Sequence, residues 1–214
     1  MRMVDYALMF VTDDRITDDV AFLSILEAAL KGGVTIVQLR EKQMDTAAFL
    51  TRAKACKSLC SLFSVPLIIN DRLDIALAVK ADGVHLGQKD MPVMEARKLL
   101  GEEKIIGLSV SNVQQAADAN AMNIDYIGLS PIFSTNTKTR DLEPPLGIDG
   151  LKEIRKVSNK PIVCIGGVDK TNTTEIIRNG SQGIAVISAI SKARDPENES
   201  KVLKNIICQA GTQR

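Results

Sequence analysis

The chain has 214 residues, 45% apolar and 25% charged, the balance of an ordinary globular protein and not of a disordered or fibrous one. Lys plus Arg number 27 against 26 Asp plus Glu without a block of like charge, and aromatics are 3% with no Trp; both facts argue against nucleic acid as a partner. No apolar run approaches the roughly 20 residues that span a bilayer, and acidic residues begin at Asp5 where a leader would be basic and then apolar, so no membrane association and a cytoplasmic location are expected.

In chain order, short apolar runs alternate with helical patterns. Strand patterns fall at 6–11, 34–39, 66–69, 83–86, 104–108, 124–129, 161–165 and 183–187. Helical patterns fall at 18–31, 45–63, 72–80, 92–100, 112–122, 148–157, 172–179 and 197–209. Eight such units predict a single (β/α)8 barrel domain of parallel strands over 1–214, with a doubly wound open sheet as the runner-up because periodicity does not register closure. Two segments break the rhythm, an irregular stretch at 134–146 and a polar linker at 192–196. The cysteines Cys56, Cys60, Cys164 and Cys208 lack metal or disulfide spacing, and Cys56 and Cys60 share a helical stripe with Phe49, Ala53 and Phe63, which reads as core.

Parallel barrel strands are apolar along their length and admit polar residues where they reach the mouth. Val34, Ile36, Gln38 and Arg40 share one parity of the second strand, with Lys42 just beyond. Asn70 and Asp71 follow the third strand, Gln88 and Asp90 the fourth, Ser109 the fifth and Ser188 the eighth. Asp71 and Asp90 suit magnesium, which takes one or two carboxylates and completes its shell with water and substrate phosphates. Arg40, Lys42 and Lys138 would then face phosphate oxygens. Each Asp also fits a helix cap, before the helices at 72 and 92. The Ile-Gly-Gly-Val run at 165–168 and Ser188 after the eighth strand form the second part, a phosphate cradle of close backbone and N–H groups. A polyphosphate site beside a monophosphate site points to a transfer between two substrates. His85, the sole histidine, lies within a strand pattern and reads as a hydrogen-bonded strand residue, not a general base.

These residues sit in long motifs: GGVTIVQLREK at 32–42, IINDRLDIALAVKADGVHLGQKDMP at 68–92, GLSVSN at 107–112, SPIFSTNTK at 130–138, then IGG and AVISAI. In that order, and over nearly the whole length, the chain resembles the thiamine phosphate synthase family. The resemblance implies a (β/α)8 barrel that joins 4-amino-5-hydroxymethyl-2-methylpyrimidine diphosphate to 4-methyl-5-(2-phosphoethyl)thiazole, or its carboxylated form, and releases diphosphate with Mg2+. It assigns Gln38, Leu39, Arg40, Glu41, Lys42, Asn70, Ser109 and Lys138 to the pyrimidine diphosphate, with Arg40, Lys42, Lys138 and Ser109 the catalytic groups among them. It makes Asp71 and Asp90 metal ligands, and Thr135, Asn136, Thr137, Gly166, Gly167, Ile187 and Ser188 contacts of the thiazole phosphate. It further implies that diphosphate leaves first, that the thiazole nitrogen captures a pyrimidine-stabilised cation, and that segment 134–146 covers the site against water. Ser130, Ser134 and Lys89 depart from the family pattern beside these sites, where altered affinity is the expected effect. Two alternatives remain in view: a related thiazole tautomerase, whose catalytic histidine would fall at Pro131, and a non-catalytic phosphate-binding regulatory barrel.

Overall fold

The structure is a computed structural model and describes residues 4–135 and 144–212. The strands are β1 (Leu8–Val11), β2 (Ile36–Leu39), β3 (Leu67–Asn70), β4 (Gly83–Leu86), β5 (Ile105–Val110), β6 (Tyr126–Leu129), β7 (Ile162–Ile165) and β8 (Gly183–Val186). Each pairs in parallel with the next, and β8 pairs with β1, placing Met9 against Ala185. That pairing closes the barrel and disposes of the open sheet.

Around it run α1 (Asp19–Lys31), α2 (Thr46–Leu62), α3 (Leu73–Ala78), α4 (Val93–Leu100), α5 (Val113–Asp118), α6 (Gly147–Val157), α7 (Thr173–Arg178), α8 (Ser188–Ser191) and α9 (Pro196–Gly211). The side-chain caps follow the sequence: Asp18, Asp45, Asn112 and Asp195 accept N–H bonds from Ala21, Ala48, Gln115 and Asn198 at the starts of α1, α2, α5 and α9. The Cys56 and Cys60 stripe is core as expected, fully buried with Phe49 and Ala53, and the four cysteines are free thiols.

Several boundaries move. Val34 precedes β2 and packs outside the barrel, so the inward parity begins at Ile36. The helix expected over 112–122 is α5 followed by a 3-10 turn at Ala119–Ala121. β8 stops at Val186, one residue short of the expected strand, and Ser188, after it as expected, opens the short α8, while Pro196 of the expected linker is already the first residue of α9.

Alternation along the short strands produces two cores. Met9, Val11, Ile36, Ile68, Ile105, Tyr126, Val163 and Ala185 fill the barrel interior. The opposite faces, with Phe10, Leu39, Ile69, Leu86 and Leu129, pack against the helices. The interior is thus solid to the level of Tyr126, and ligands have access only above it, at the C-terminal ends of the strands.

Candidate active site

At the mouth, the ends of β2, β3 and β4 carry the charge. Lys42 Nζ donates to Asp71 Oδ2 in a close ion pair. Asp71 follows β3 with a left-handed backbone, φ 61°, an unusual conformation for a residue with a side chain. Its N–H donates to the His85 carbonyl at 2.9 Å, and this bond fixes the turn against β4. Asp90 Oδ2 accepts the Gly87 N–H at 2.6 Å within the turn after β4. Burial, and next the adjacent Asp71 carboxylate, push the Asp90 carboxyl above the usual range, against the opposing pull of the Gly87 N–H and Lys42.

Two carboxylates facing each other with one lysine leave excess negative charge that a divalent cation would neutralise, and two carboxylates are the share of a Mg2+ shell that proteins ordinarily supply. The donor set therefore fits the ion. It does not fit helix capping: the cap positions of α3 and α4 are Arg72 and Pro92, and neither helix has a side-chain cap bond.

Arg40 stands beside this cluster, its guanidinium 2.7 Å from Asp14 Oδ2 and both side chains largely buried. Its backbone is held by Thr12, whose Oγ1 accepts the Arg40 N–H at 2.9 Å and donates to the Arg40 carbonyl. Thr12, Asp13 and Asp14 thus form the part of the rim that sequence reasoning missed, although they show the same apolar-to-polar switch after β1 as the other strands show. Asp13 is buried and accepts three bonds from Arg15, two from its guanidinium and one from its N–H, and one from Ser191 Oγ at 3.0 Å, tying the first loop to α8.

The motif from Gln38 to Lys42 does not act as one surface. Gln38 points into the barrel and its Nε2 meets Met9 Sδ at 3.4 Å. Leu39 packs outward among the helices. The Glu41 carboxylate is buried against Arg52 of α2 at 2.7 Å, and that guanidinium also stacks on Phe22, 4.3 Å from the ring centroid. The side chains of Gln38 and Arg40 therefore serve the interior and mouth, whereas those of Leu39 and Glu41 serve the scaffold.

Below Asn70, which pairs in register with His85, lies a buried chain of polar groups. His85 Nδ1 meets the Tyr126 hydroxyl at 2.8 Å and Nε2 meets Ser109 Oγ at 2.9 Å, as expected of a hydrogen-bonded strand histidine. Gln88 Nε2 donates to the Ser109 carbonyl at 2.6 Å, bridging the turn after β4 to β5.

The other side of the mouth is a cleft of about 470 Å3 lined by Ser134, Thr135, Gly166, Gly167, Ile187, Ser188 and Lys192, among others. Gly166 and Gly167 have φ of 101° and 65°, and a Cβ on Gly167 would lie 2.5 Å from the Ser134 carbonyl oxygen. Backbone bonds from Ile132 N to Ile165 O (2.9 Å) and Phe133 N to Gly166 O (3.0 Å) stitch the loops after β6 and β7 together. Side chains are excluded there, so the backbone itself forms the wall. Lys192, within the expected polar linker, is a cation at this cleft. Asn136, Thr137 and Lys138, and most of the expected covering segment 134–146, lie outside the described residues.

The family model for thiamine monophosphate synthase matches residues 8–190, from the first strand into α8. A thiamine-phosphate synthase of Clostridium novyi is 45% identical over 203 residues, covering 95% of this chain and 99% of that protein. One from Vibrio campbellii is 49% identical over 203 residues, covering 94% and 98%. Among solved structures, thiamine phosphate pyrophosphorylase from Pyrococcus furiosus superposes with a TM-score of 0.86 at 33% identity, covering 97% of this chain and 98% of that one. The chain belongs to the thiamine monophosphate synthase family.

Proposed function

We propose that this protein acts as a thiamine-phosphate synthase, joining hydroxymethylpyrimidine diphosphate to a thiazole phosphate at the barrel mouth with release of diphosphate. The observation that carries the reading is the division of the mouth into a charged half, with Arg40, Lys42, Asp71 and Asp90, and a backbone-walled half at Gly166 and Gly167. The first half suits a leaving diphosphate, and the second a single phosphate held by N–H groups and Lys192.

In this reading the pyrimidine enters above Tyr126 beside Gln38 and Asn70, and Ser109 borders the carbon that is transferred. Asp71 and Asp90 would hold Mg2+, which would supply positive charge to the diphosphate oxygens. Arg40 and Lys42 supply the remaining charge from positions fixed by Asp14 and Asp71, and such preorganised charge needs little rearrangement as negative charge develops on the leaving group. The C–O bond to diphosphate breaks and the bond from the thiazole nitrogen forms; no group need remove a proton, so the step calls for no general base. A proton-transfer reaction at the thiazole would need one, and His85 is already engaged by Tyr126 and Ser109. A cytoplasmic setting suits the phosphorylated substrates.

Diphosphate release, measured with both substrates and Mg2+ and with each omitted in turn, tests the reading. Release that requires all three and matches thiamine phosphate formation supports it. Binding of both ligands without product would overturn it.

A further inference from the structure

We propose that Tyr126 fixes the tautomer of His85 and thereby makes the Ser109 hydroxyl a hydrogen-bond donor into the barrel mouth. Tyr126 is a positioning residue that acts through His85 on Ser109. The three groups form one chain, Tyr126 Oη to His85 Nδ1 at 2.8 Å and His85 Nε2 to Ser109 Oγ at 2.9 Å, running from the sealed core to the rim. The barrel is cut to admit it. A Cβ on Gly107 would lie 2.2 Å from the Tyr126 ring, and one on Gly128 would lie 2.7 Å from His85 Cε1. Two inward positions therefore carry no side chain at the places where these rings lie.

The direction of the chain follows from acid–base strength. A phenol is a stronger hydrogen-bond acid than a neutral imidazole N–H, and the unprotonated imidazole nitrogen is a stronger acceptor than a phenol oxygen. Tyr126 is fully buried, which favours its protonated form and keeps the donor in place. The better pairing has Tyr126 O–H donating to Nδ1. The single proton of the neutral ring then sits on Nε2 and is donated to Ser109 Oγ, since the bond made by one ring nitrogen sets the state of the other. Ser109 thereby accepts from below and keeps its own proton to donate upward. The reverse tautomer would turn the Ser109 proton down into the core and present only lone pairs to an anion. That the recipient is the pyrimidine diphosphate rests on the synthase reading; the direction of the chain does not.

His85 is the sole histidine, so 15N-histidine labelling of the full chain gives one ring to observe. The expected spectrum without substrates at neutral pH shows Nδ1 unprotonated and Nε2 protonated; the reverse, or a ring protonated on both nitrogens, would overturn the proposal. Tyr126→Phe keeps the ring and removes the donor, and it should release the preference, giving a mixture of tautomers; an unchanged spectrum would also overturn it. If that variant does not fold, the wild-type spectrum decides alone. In turnover, Tyr126→Phe should lower kcat about fivefold, the worth of one net hydrogen bond, and should have no further effect in a Ser109→Ala background. Multiplying losses would mean that Tyr126 does not act through Ser109. If the protein lacks synthase activity, the kinetic arm fails with that reading while the spectrum still decides the tautomer.

Discussion

At the N-terminal end of the barrel, Thr35, Asp82, Asp125 and Gln182 each stand one residue before an even-numbered strand and accept an N–H at the start of the strand before it: Leu8 at 3.0 Å, Leu67 at 2.9 Å, Ile106 at 2.8 Å and Ile162 at 2.6 Å. Lys57, Arg97 and Arg155 back three of them from the helices. At the C-terminal end Arg40 pairs with Asp14 and Lys42 with Asp71, while Asp90 accepts a loop N–H beside Asp71, all around space that a ligand can enter. Both rims are polar. The lower one satisfies strand ends and holds the register, whereas the upper one holds opposed carboxylates close together at a cost to itself, the arrangement expected where a ligand supplies what is missing.

Substitutions at the two rims should therefore separate activity from stability. The largest effect expected is from Asp71→Ala, which should lower kcat by on the order of 10²–10³-fold, the loss typical of removing one preorganised charge. The left-handed backbone suits Asp better than Ala, for which it costs about 1–2 kcal/mol, so Tm should fall by no more than roughly 8 °C; a larger fall in Tm with normal turnover would invert the comparison. Asp125→Ala at the lower rim should do the opposite. It strands the Ile106 N–H and removes the ion pair of Arg97, which keeps its bonds to the Asn123, Gly101 and Lys104 carbonyls, costing about 2 kcal/mol and lowering Tm by roughly 4–8 °C, with kcat of the folded protein unchanged. Gly167→Ala should raise KM for the thiazole phosphate about tenfold, the cost of a strained backbone, and leave KM for the pyrimidine diphosphate alone. Equal changes in both would show that the two halves of the mouth are not separate.

The smallest effect concerns Asp13. Burial alone would raise its carboxyl, but the bonds from Arg15 and Ser191 more than offset this and hold it below the usual range. A depressed carboxyl stabilises the fold above its unfolded value near 4 and loses that contribution as pH falls through its folded value. Asp13→Asn should therefore flatten the acid limb of a stability–pH curve and leave the neutral region displaced by a constant amount. An unchanged acid limb would show that Asp13 is not linked to folding.

Much of this was legible from residue order. The eight apolar runs and the Cys56 stripe follow from period and residue type, which are local properties, whereas the capping read for Asp71 and Asp90 is not observed, because Arg72 and Pro92 take the cap positions. The parity of β2 already separates Gln38 and Arg40 from Leu39 and Glu41, a signal that a contiguous motif obscures. Thr12 to Asp14 were readable by the same rule, yet nothing local shows that Asp14 lies against Arg40, 26 positions on in the chain.

Which faces are apolar, where strands turn polar and how many βα units there are follow from residue order, because these depend on neighbours within a few residues. Closure, the meeting of Asp71 with Asp90 and Lys42, the withdrawal of Glu41 to Arg52, and the line from Tyr126 through His85 to Ser109 arise from long-range packing. Each of these depends on strand register around a closed barrel, where a shift of one residue would turn every inward side chain outward.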